Sequence, residues 1–137
     1  MMISTKGRYA LRVMIDLAQH SDEEYISLKG IASRQEVSAK YLETIVSVLN
    51  RAGLLRSYRG KEGGYKLAKK PEEYTVFEIL RATEGSLAPV SCLENNSDIT
   101  CSRAYSCYTL PMWKKLDDIV NDYLDKVTLK DLINGEV

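Results

Sequence analysis

Only one histidine, His20, occurs in the chain, and cysteine is absent everywhere except between residues 92 and 107. A lone imidazole, with no nucleophile–base pair and no phosphate-binding glycine loop ahead of a helix, leaves no catalytic constellation and argues against an enzyme. No apolar stretch reaches membrane-spanning length and no signal-peptide pattern is present, so a cytoplasmic protein without membrane contact is expected. In that compartment thiols stay reduced, and clustered cysteines serve metal or redox chemistry.

What is present is concentrated. Cys92, Cys101 and Cys107 share one polar stretch rich in Ser, Asn and Asp. A structural cysteine usually sits singly in an apolar core, so three in a polar loop point to a soft-metal or redox site. The odd count argues against a closed disulfide framework. Glu94 and Asp98 add oxygen donors to the same loop. His20 reads as a cation closing the first helix rather than a ligand.

The formal net charge is zero, and it conceals a division. Residues 1–70 hold 13 Lys and Arg against 7 Asp and Glu, a balance of +6; residues 71–137 hold 6 against 12, a balance of −6. A basic first half suits a nucleic-acid partner, because cations that neutralise phosphates supply most sequence-independent affinity. The size, 137 residues with 45% hydrophobic and 28% charged, suits one compact domain or a small domain with a helical arm.

In the basic half, Tyr9, Ala10, Val13, Met14, Leu17 and Ala18 repeat at helical spacing between Thr5 and His20. Ser27 is an N-cap ahead of Leu28, Ile31 and Ala32, and Ser38 another ahead of Leu42, Ile45, Val48 and Leu49. A short turn around Glu36 and Val37 separates them, and Gly53 is placed to end the second, so the pair predicts a helix-turn-helix. Strands at 54–58 and 65–68 flank the turn Arg59-Gly60-Lys61-Glu62-Gly63-Gly64, which predicts a basic wing. Arg59 and Lys61 at its tip suit the DNA backbone or a narrow minor groove.

In the acidic half, Thr75 caps a short helix carrying Val76, Ile79, Leu80 and Ala82 that ends near Gly85. After Pro111, Trp113, Leu116, Ile119, Val120, Tyr123, Leu124 and Val127 form a stripe along about four turns. The basic module has too little core to cover that stripe, so the same helix of a second chain is the expected cover, with packing inside one chain as the alternative.

The runs Ser4-Thr5-Lys6-Gly7-Arg8-Tyr9-Ala10, Tyr41-Leu42-Glu43, Arg59-Gly60 and Gly63-Gly64-Tyr65, with Trp113 and Thr128-Leu129-Lys130-Asp131-Leu132, resemble the IscR-like winged-helix transcription regulators, a family that includes IscR, NsrR and CymR. The resemblance spans nearly the whole chain. It implies a mainly α fold with a small β-hairpin: a winged helix-turn-helix domain over residues 1–84, a cluster loop over 85–110, and a dimerisation helix with a C-terminal helix over 111–137. It implies a homodimer that binds a double-stranded DNA operator. The implied DNA-binding residues are Ser38, Lys40, Tyr41, Glu43 and Thr44 on the recognition helix with Arg59, Gly60 and Lys61 on the wing. Tyr41 has packing on the preceding helix as its alternative role, and Glu43 is the implied discriminator between operators. Cys92, Cys101 and Cys107 are the implied ligands of an iron–sulfur cluster, 2Fe-2S first and 4Fe-4S second, in a regulator of cluster-assembly genes. The pattern breaks at the fourth ligand. The histidine that IscR places three residues past the last cysteine is Leu110 here, and the aspartate that NsrR takes from the partner chain is Arg8. A thiol switch, a zinc site, or control by a partner protein of cysteine metabolism remain open alternatives.

Overall fold

The computed structural model describes residues 3–22, 24–61, 63–94 and 101–137. The elements run α1 (Thr5–Gln19), α2 (Leu28–Gln35), α3 (Ala39–Arg51), β1 (Leu55–Tyr58), β2 (Gly64–Leu67), α4 (Val76–Glu84), α5 (Leu110–Lys126) and α6 (Leu129–Asn134), with 3-10 turns at Pro71–Glu73, Ser91–Leu93 and Ala104–Ser106. The result is the mainly helical, winged architecture expected from the sequence.

Hydroxyl side chains start most of these helices by accepting from an otherwise unsatisfied N–H of the first turn. Ser27 Oγ accepts from Gly30 N at 3.0 Å, Ser38 Oγ from Tyr41 N at 3.2 Å, and Thr75 Oγ1 from Glu78 N at 3.1 Å. Ser4 does the same for α1, accepting from Gly7 N at 3.2 Å. Gly53 ends α3 at φ +77° and Gly85 ends α4 at φ +78°. The α2–α3 turn instead uses Glu36 at φ +55°, a conformation disfavoured for a side chain with a Cβ. That residue turns the chain within three positions, which sets α3 across α2.

Helix α1 lies at the centre of the core. Its Ala10, Val13, Met14 and Leu17 are buried with Ile31 of α2, with Leu42, Ile45, Val46 and Leu49 of α3, and with Ile79 of α4. Each large aliphatic side chain so buried contributes about 1.5–3 kcal/mol, which makes this stripe the main source of stability. After α5 the chain returns alongside the start of α4. Val76 N donates to Val127 O at 2.8 Å and Leu129 N to Tyr74 O at 3.1 Å, so α6 docks on α1 and Leu129 joins the core.

The wing is rooted by one residue that has no local sequence signal. Tyr74 is fully buried, and its hydroxyl donates to Leu54 O at 2.6 Å while accepting from Ala68 N at 2.8 Å and Lys69 N at 3.0 Å. It therefore ties the chain entering β1 to the chain leaving β2. Burial pushes the phenol pKa up, so it stays a neutral donor. Tyr74→Phe removes three hydrogen bonds and leaves Leu54 O and Ala68 N only their long 3.4 Å bond to each other, and an unsatisfied buried group costs about 1–3 kcal/mol. We expect a stability loss of about 2 kcal/mol in urea unfolding, together with faster amide exchange in the hairpin.

Helix α5 is covered on one side only. It packs on α4, where Val127 is buried with Val76, Leu80 and Leu87 and with Leu124 against them. Met112, Ile119 and Tyr123 stay 53%, 54% and 57% exposed, and of the helix itself only Leu110 is buried. The apolar stripe read from the sequence is thus half used within one chain.

Candidate functional site

The exposed face of α3 follows from which of its side chains the core does not take. With Leu42, Ile45, Val46 and Leu49 turned inward, Lys40, Glu43, Thr44, Ser47 and Arg51 share the outer face. A groove of about 430 Å³ separates this face from the wing, lined by Glu43 and Asn50 of α3 and by Tyr58, Arg59, Gly60 and Tyr65 of the hairpin. Glu43 borders both surfaces, and among the described residues its carboxylate has no hydrogen-bond partner. Ser47, Asn50 and Arg51 were not singled out by sequence reasoning. Their signal was available, since positions 40, 44, 47 and 51 repeat one helical face.

Polar contacts fix α2, the helix ahead of α3, against α1. Asp16 of α1 is 1% exposed. Arg34 grips it in a fork, Nη2 to Oδ1 at 2.7 Å and Nε to Oδ2 at 3.0 Å, and Gln35 Nε2 donates to Oδ2 at 3.0 Å. His20 Nδ1 lies 2.8 Å from the Asp16 carbonyl oxygen and 3.7 Å from its carboxylate, at the C-terminal end of α1. Arg12 donates to the Gln35 side chain at 3.0 Å and to its carbonyl at 2.7 Å, and stands 4.7 Å over the ring of Tyr9. Tyr9 meets Tyr41 edge to face at 5.9 Å. Tyr41 is thus packed on α1, half-buried, at the first turn of α3.

Burial raises the Asp16 pKa, but the bonds from Arg34 and Gln35 and the Arg34 charge outweigh it and hold the carboxyl below its ordinary 3.8. The unfolded carboxyl takes its proton at the higher pH. The stabilisation is therefore complete above the unfolded value, about pH 4, and is lost as pH falls through the lower folded value. Asp16→Asn is expected to lower stability at pH 7 by about 2 kcal/mol, because the Asp16 charge that Arg34 and Gln35 hold at a partly buried joint is lost. The same substitution should flatten the acid limb of a stability–pH curve.

The wing tip stands clear of the core. Leu55 pairs with Leu67, Arg56 with Lys66, Ser57 with Tyr65 and Tyr58 with Gly64. Two bonds, Ile26 N to Tyr65 O at 2.9 Å and Tyr65 N to Ile26 O at 2.8 Å, attach the hairpin to the chain ahead of α2. Gly64 is required there, since a Cβ would meet the Ile26 carbonyl, and one on Gly63 would meet the Tyr58 carbonyl. Arg59, Gly60 and Lys61 are all exposed, with Gly60 at φ +132°. The arrangement presents cations on the helix and on the wing to one side of a groove. That suits a polyanion with a groove of its own.

The cysteines lie at the opposite end of the sequence's charge division. Cys92 is half-buried in the turn Ser91–Leu93, Cys101 is exposed, and Cys107 is half-buried just ahead of α5. Cys107 Sγ lies 3.3 Å from Thr109 Oγ1. Hydrogen bonding from the Thr109 side chain, then from the backbone N–H groups of Thr109 and Leu110, lowers the Cys107 pKa from 9.0. Among the described residues no three His, Cys, Asp or Glu side chains converge on one point. The three thiols supply donors suited to iron, but the described geometry does not gather them. Leu110 is buried and Glu94 exposed, Arg8 donates to Thr5 Oγ1 at 3.2 Å, and Asp98 lies outside the described residues.

Comparison with known proteins adds the following. A family model described as Rrf2, an iron-dependent transcriptional regulator, matches residues 3–135. The HTH-type transcriptional regulator CymR of Bacillus subtilis is 42% identical over 132 residues, covering 96% of this chain and 89% of that protein. Its solved structure, described as that of the global cysteine regulator, superposes with a TM-score of 0.79 over 98% of both chains at 41% identity. The HTH-type transcriptional regulator IscR of Pectobacterium atrosepticum is 37% identical over 136 residues, 99% of this chain and 81% of that protein. The structure of T. potens IscR superposes with a TM-score of 0.74 at 39% identity, covering 100% of this chain and 89% of that one. No helix among the described residues is long and apolar enough to cross a membrane.

Proposed function

The chain belongs to the Rrf2 family of DNA-binding transcriptional regulators, and on that premise we propose that it is a cytoplasmic homodimer that senses an iron–sulfur cluster and controls genes of cluster assembly. It acts by binding an operator rather than by catalysis, as its regulator relatives do. The observation that carries the sensing role is the placement of every cysteine of the chain in the single segment between α4 and α5.

In this reading residues 1–84 form the DNA-binding module, 85–110 the sensing loop and 111–137 the pairing helices. Lys40 and Thr44, with Ser38 at the helix start, meet phosphates and base edges in the major groove, and Arg59 and Lys61 hold the flanking backbone or minor groove. A second chain covers Met112, Ile119 and Tyr123 of α5, which fixes the separation of two recognition helices. Cys92, Cys101 and Cys107 hold the cluster, 2Fe-2S in the first instance and 4Fe-4S as the competing composition. When bound, the cluster supplies a labile thiolate-ligated centre that responds to iron supply and oxidants. The chain's own part is to bring the loop together and transmit its state through α4 and α5. Ser4 N and Oγ both bond Glu84 Oε1, at 2.9 and 2.6 Å, so the last turn of α4 is tied directly to the start of α1. A Cβ on Gly7 would displace that carboxylate from its bonds to Ser4.

The test is anaerobic purification with absorption spectroscopy and iron and sulfide analysis, followed by operator binding at several salt concentrations. Protein coloured by stoichiometric iron and sulfide, with affinity falling steeply in salt, is the expected result. Colourless protein after anaerobic reconstitution would reject the cluster. A thiol switch is the second reading, favoured by the lowered pKa of Cys107, because the thiolate is the reactive form. Similarity to a protein described as a global cysteine regulator adds to it. Colourless protein whose operator affinity responds to a disulfide oxidant would select that reading.

A further inference from the structure

The face of the wing turned away from the recognition helix holds a second basic cavity. Arg56 and Lys66 are cross-strand partners and so project to one side of the hairpin. The next pair, Ser57 and Tyr65, lines the groove beside α3, and successive residues of a strand alternate faces. The Arg56–Lys66 side therefore looks the other way, toward the C-terminal end of α1. There Arg56, Lys66, Lys69, Lys70, His20 and Ser21 line a cavity of about 320 Å³ with Leu17 and Leu67 in its floor.

The charge in this cavity is unbalanced. None of its lining residues is acidic. Lys69 is paired with Glu78 at 3.0 Å and the Lys70 backbone N–H donates to Glu73 Oε2 at 2.8 Å, whereas among the described residues the side chains of Arg56 and Lys66 have no carboxylate partner. Lys66 Nζ stands 4.8 Å over the ring of Tyr25, which places the ammonium without neutralising it. Like charges directly opposite on a strand pair are unfavourable, so Arg56 and Lys66 together oppose the hairpin they sit on. An anion seated between them would remove that repulsion, and the volume matches the lower range of small-molecule sites.

We propose that this cavity binds a small polyanion, a phosphate ester or an oligocarboxylate, and that its occupancy fixes the wing against the end of α1. The guanidinium of Arg56 and the ammonium groups of Lys66 and Lys70 bind its oxygens, with the Ser21 hydroxyl as a neutral donor. Because the site contains none of Ser38, Lys40, Tyr41, Glu43, Thr44 or Arg59, the proposal stands apart from the cluster and from operator recognition.

Titration calorimetry of the full chain with pyrophosphate and with citrate, at ionic strength held constant with chloride, tests it. Saturable binding of one of the two with a Kd below about 1 mM is expected, and the anion that saturates identifies the class. The double variant Arg56→Gln, Lys66→Gln and the single variant Lys70→Gln should each weaken it, the double variant at least about tenfold. Lys70→Gln decides alone if the double variant does not fold. Absence of saturation by both anions overturns the proposal, as does binding retained in these variants but lost in Lys40→Ala, Arg59→Ala, which would put the anion on the DNA face. Operator affinity lowered in the anion-free double variant as much as in Lys40→Ala would also overturn it, by making the cavity a DNA contact.

Discussion

Arg59→Ala is expected to weaken operator binding roughly tenfold to a hundredfold, about 1–3 kcal/mol, and to relax preference at one A·T-rich position. The size of the effect follows from where the residue stands. Arg59 leaves β1 at the exposed tip of a hairpin fastened at its base by Tyr74 and along its edge by Ile26, so its reach from α3 is set by the fold. A narrow minor groove concentrates negative potential, and a positioned guanidinium reads that width. Lys40, on the first turn of α3, supplies charge without such a restriction. Lys40→Ala should therefore lower affinity for all sequences alike and reduce the salt slope by about one. Competition binding against operators altered at single positions separates the two variants, and equal behaviour of both with wild type would remove the helix–wing surface as the DNA interface.

Replacing any one of Cys92, Cys101 and Cys107 by Ala is expected to abolish cluster binding. Three thiols are all the sulfur donors the chain has outside methionine. The position three residues past Cys107 is the buried Leu110, which offers no ligand to compensate. Metal affinity depends on assembling the complete donor set from separated positions, and an incomplete set loses most of it. Iron and sulfide analysis of each variant after identical anaerobic reconstitution checks this. Full iron and sulfide content in one variant would strike that cysteine from the ligand set.

The local devices of the fold were legible in the sequence because their chemistry is local. Ser27, Ser38 and Thr75 announce helix starts by side chains that bond their own first turn, and Gly53 and Gly85 announce ends by the conformation only glycine adopts cheaply. The wing showed itself as two short strands around a glycine-bearing basic turn; the first begins one residue later than expected, at Leu55, and the second lies one residue nearer the N-terminus, at Gly64–Leu67. What stayed hidden depends on distant partners. Asp16 sits at a position in α1 where periodicity gives no reason for burial, and its reason is Arg34 and Gln35 on another helix. Tyr74 and the Ser4–Glu84 contact join residues far apart in sequence, and Glu36 takes a left-handed turn without being glycine. On α3 the basic and polar face was partly read, since Ser38, Lys40, Glu43 and Thr44 stand at its exposed start, while Ser47, Asn50 and Arg51 continue it. The apolar stripe of α5 was legible as a stripe, but periodicity alone does not say which flank a single chain covers.

Operator affinity measured for wild type and Glu43→Ala, each with the cluster loaded and removed, tests most directly whether the cysteine loop governs DNA recognition. Glu43 borders both the α3 face and the wing groove; on the proposed function its carboxylate would penalise phosphate and accept from a cytosine amino group according to how the helix is presented. Cluster occupancy should change wild-type affinity for one operator class by roughly 5- to 150-fold, the usual range of coupling between two sites. Glu43→Ala should raise the affinity of the cluster-free protein more than that of the loaded protein. Four affinities independent of cluster occupancy would contradict a cluster-operated switch.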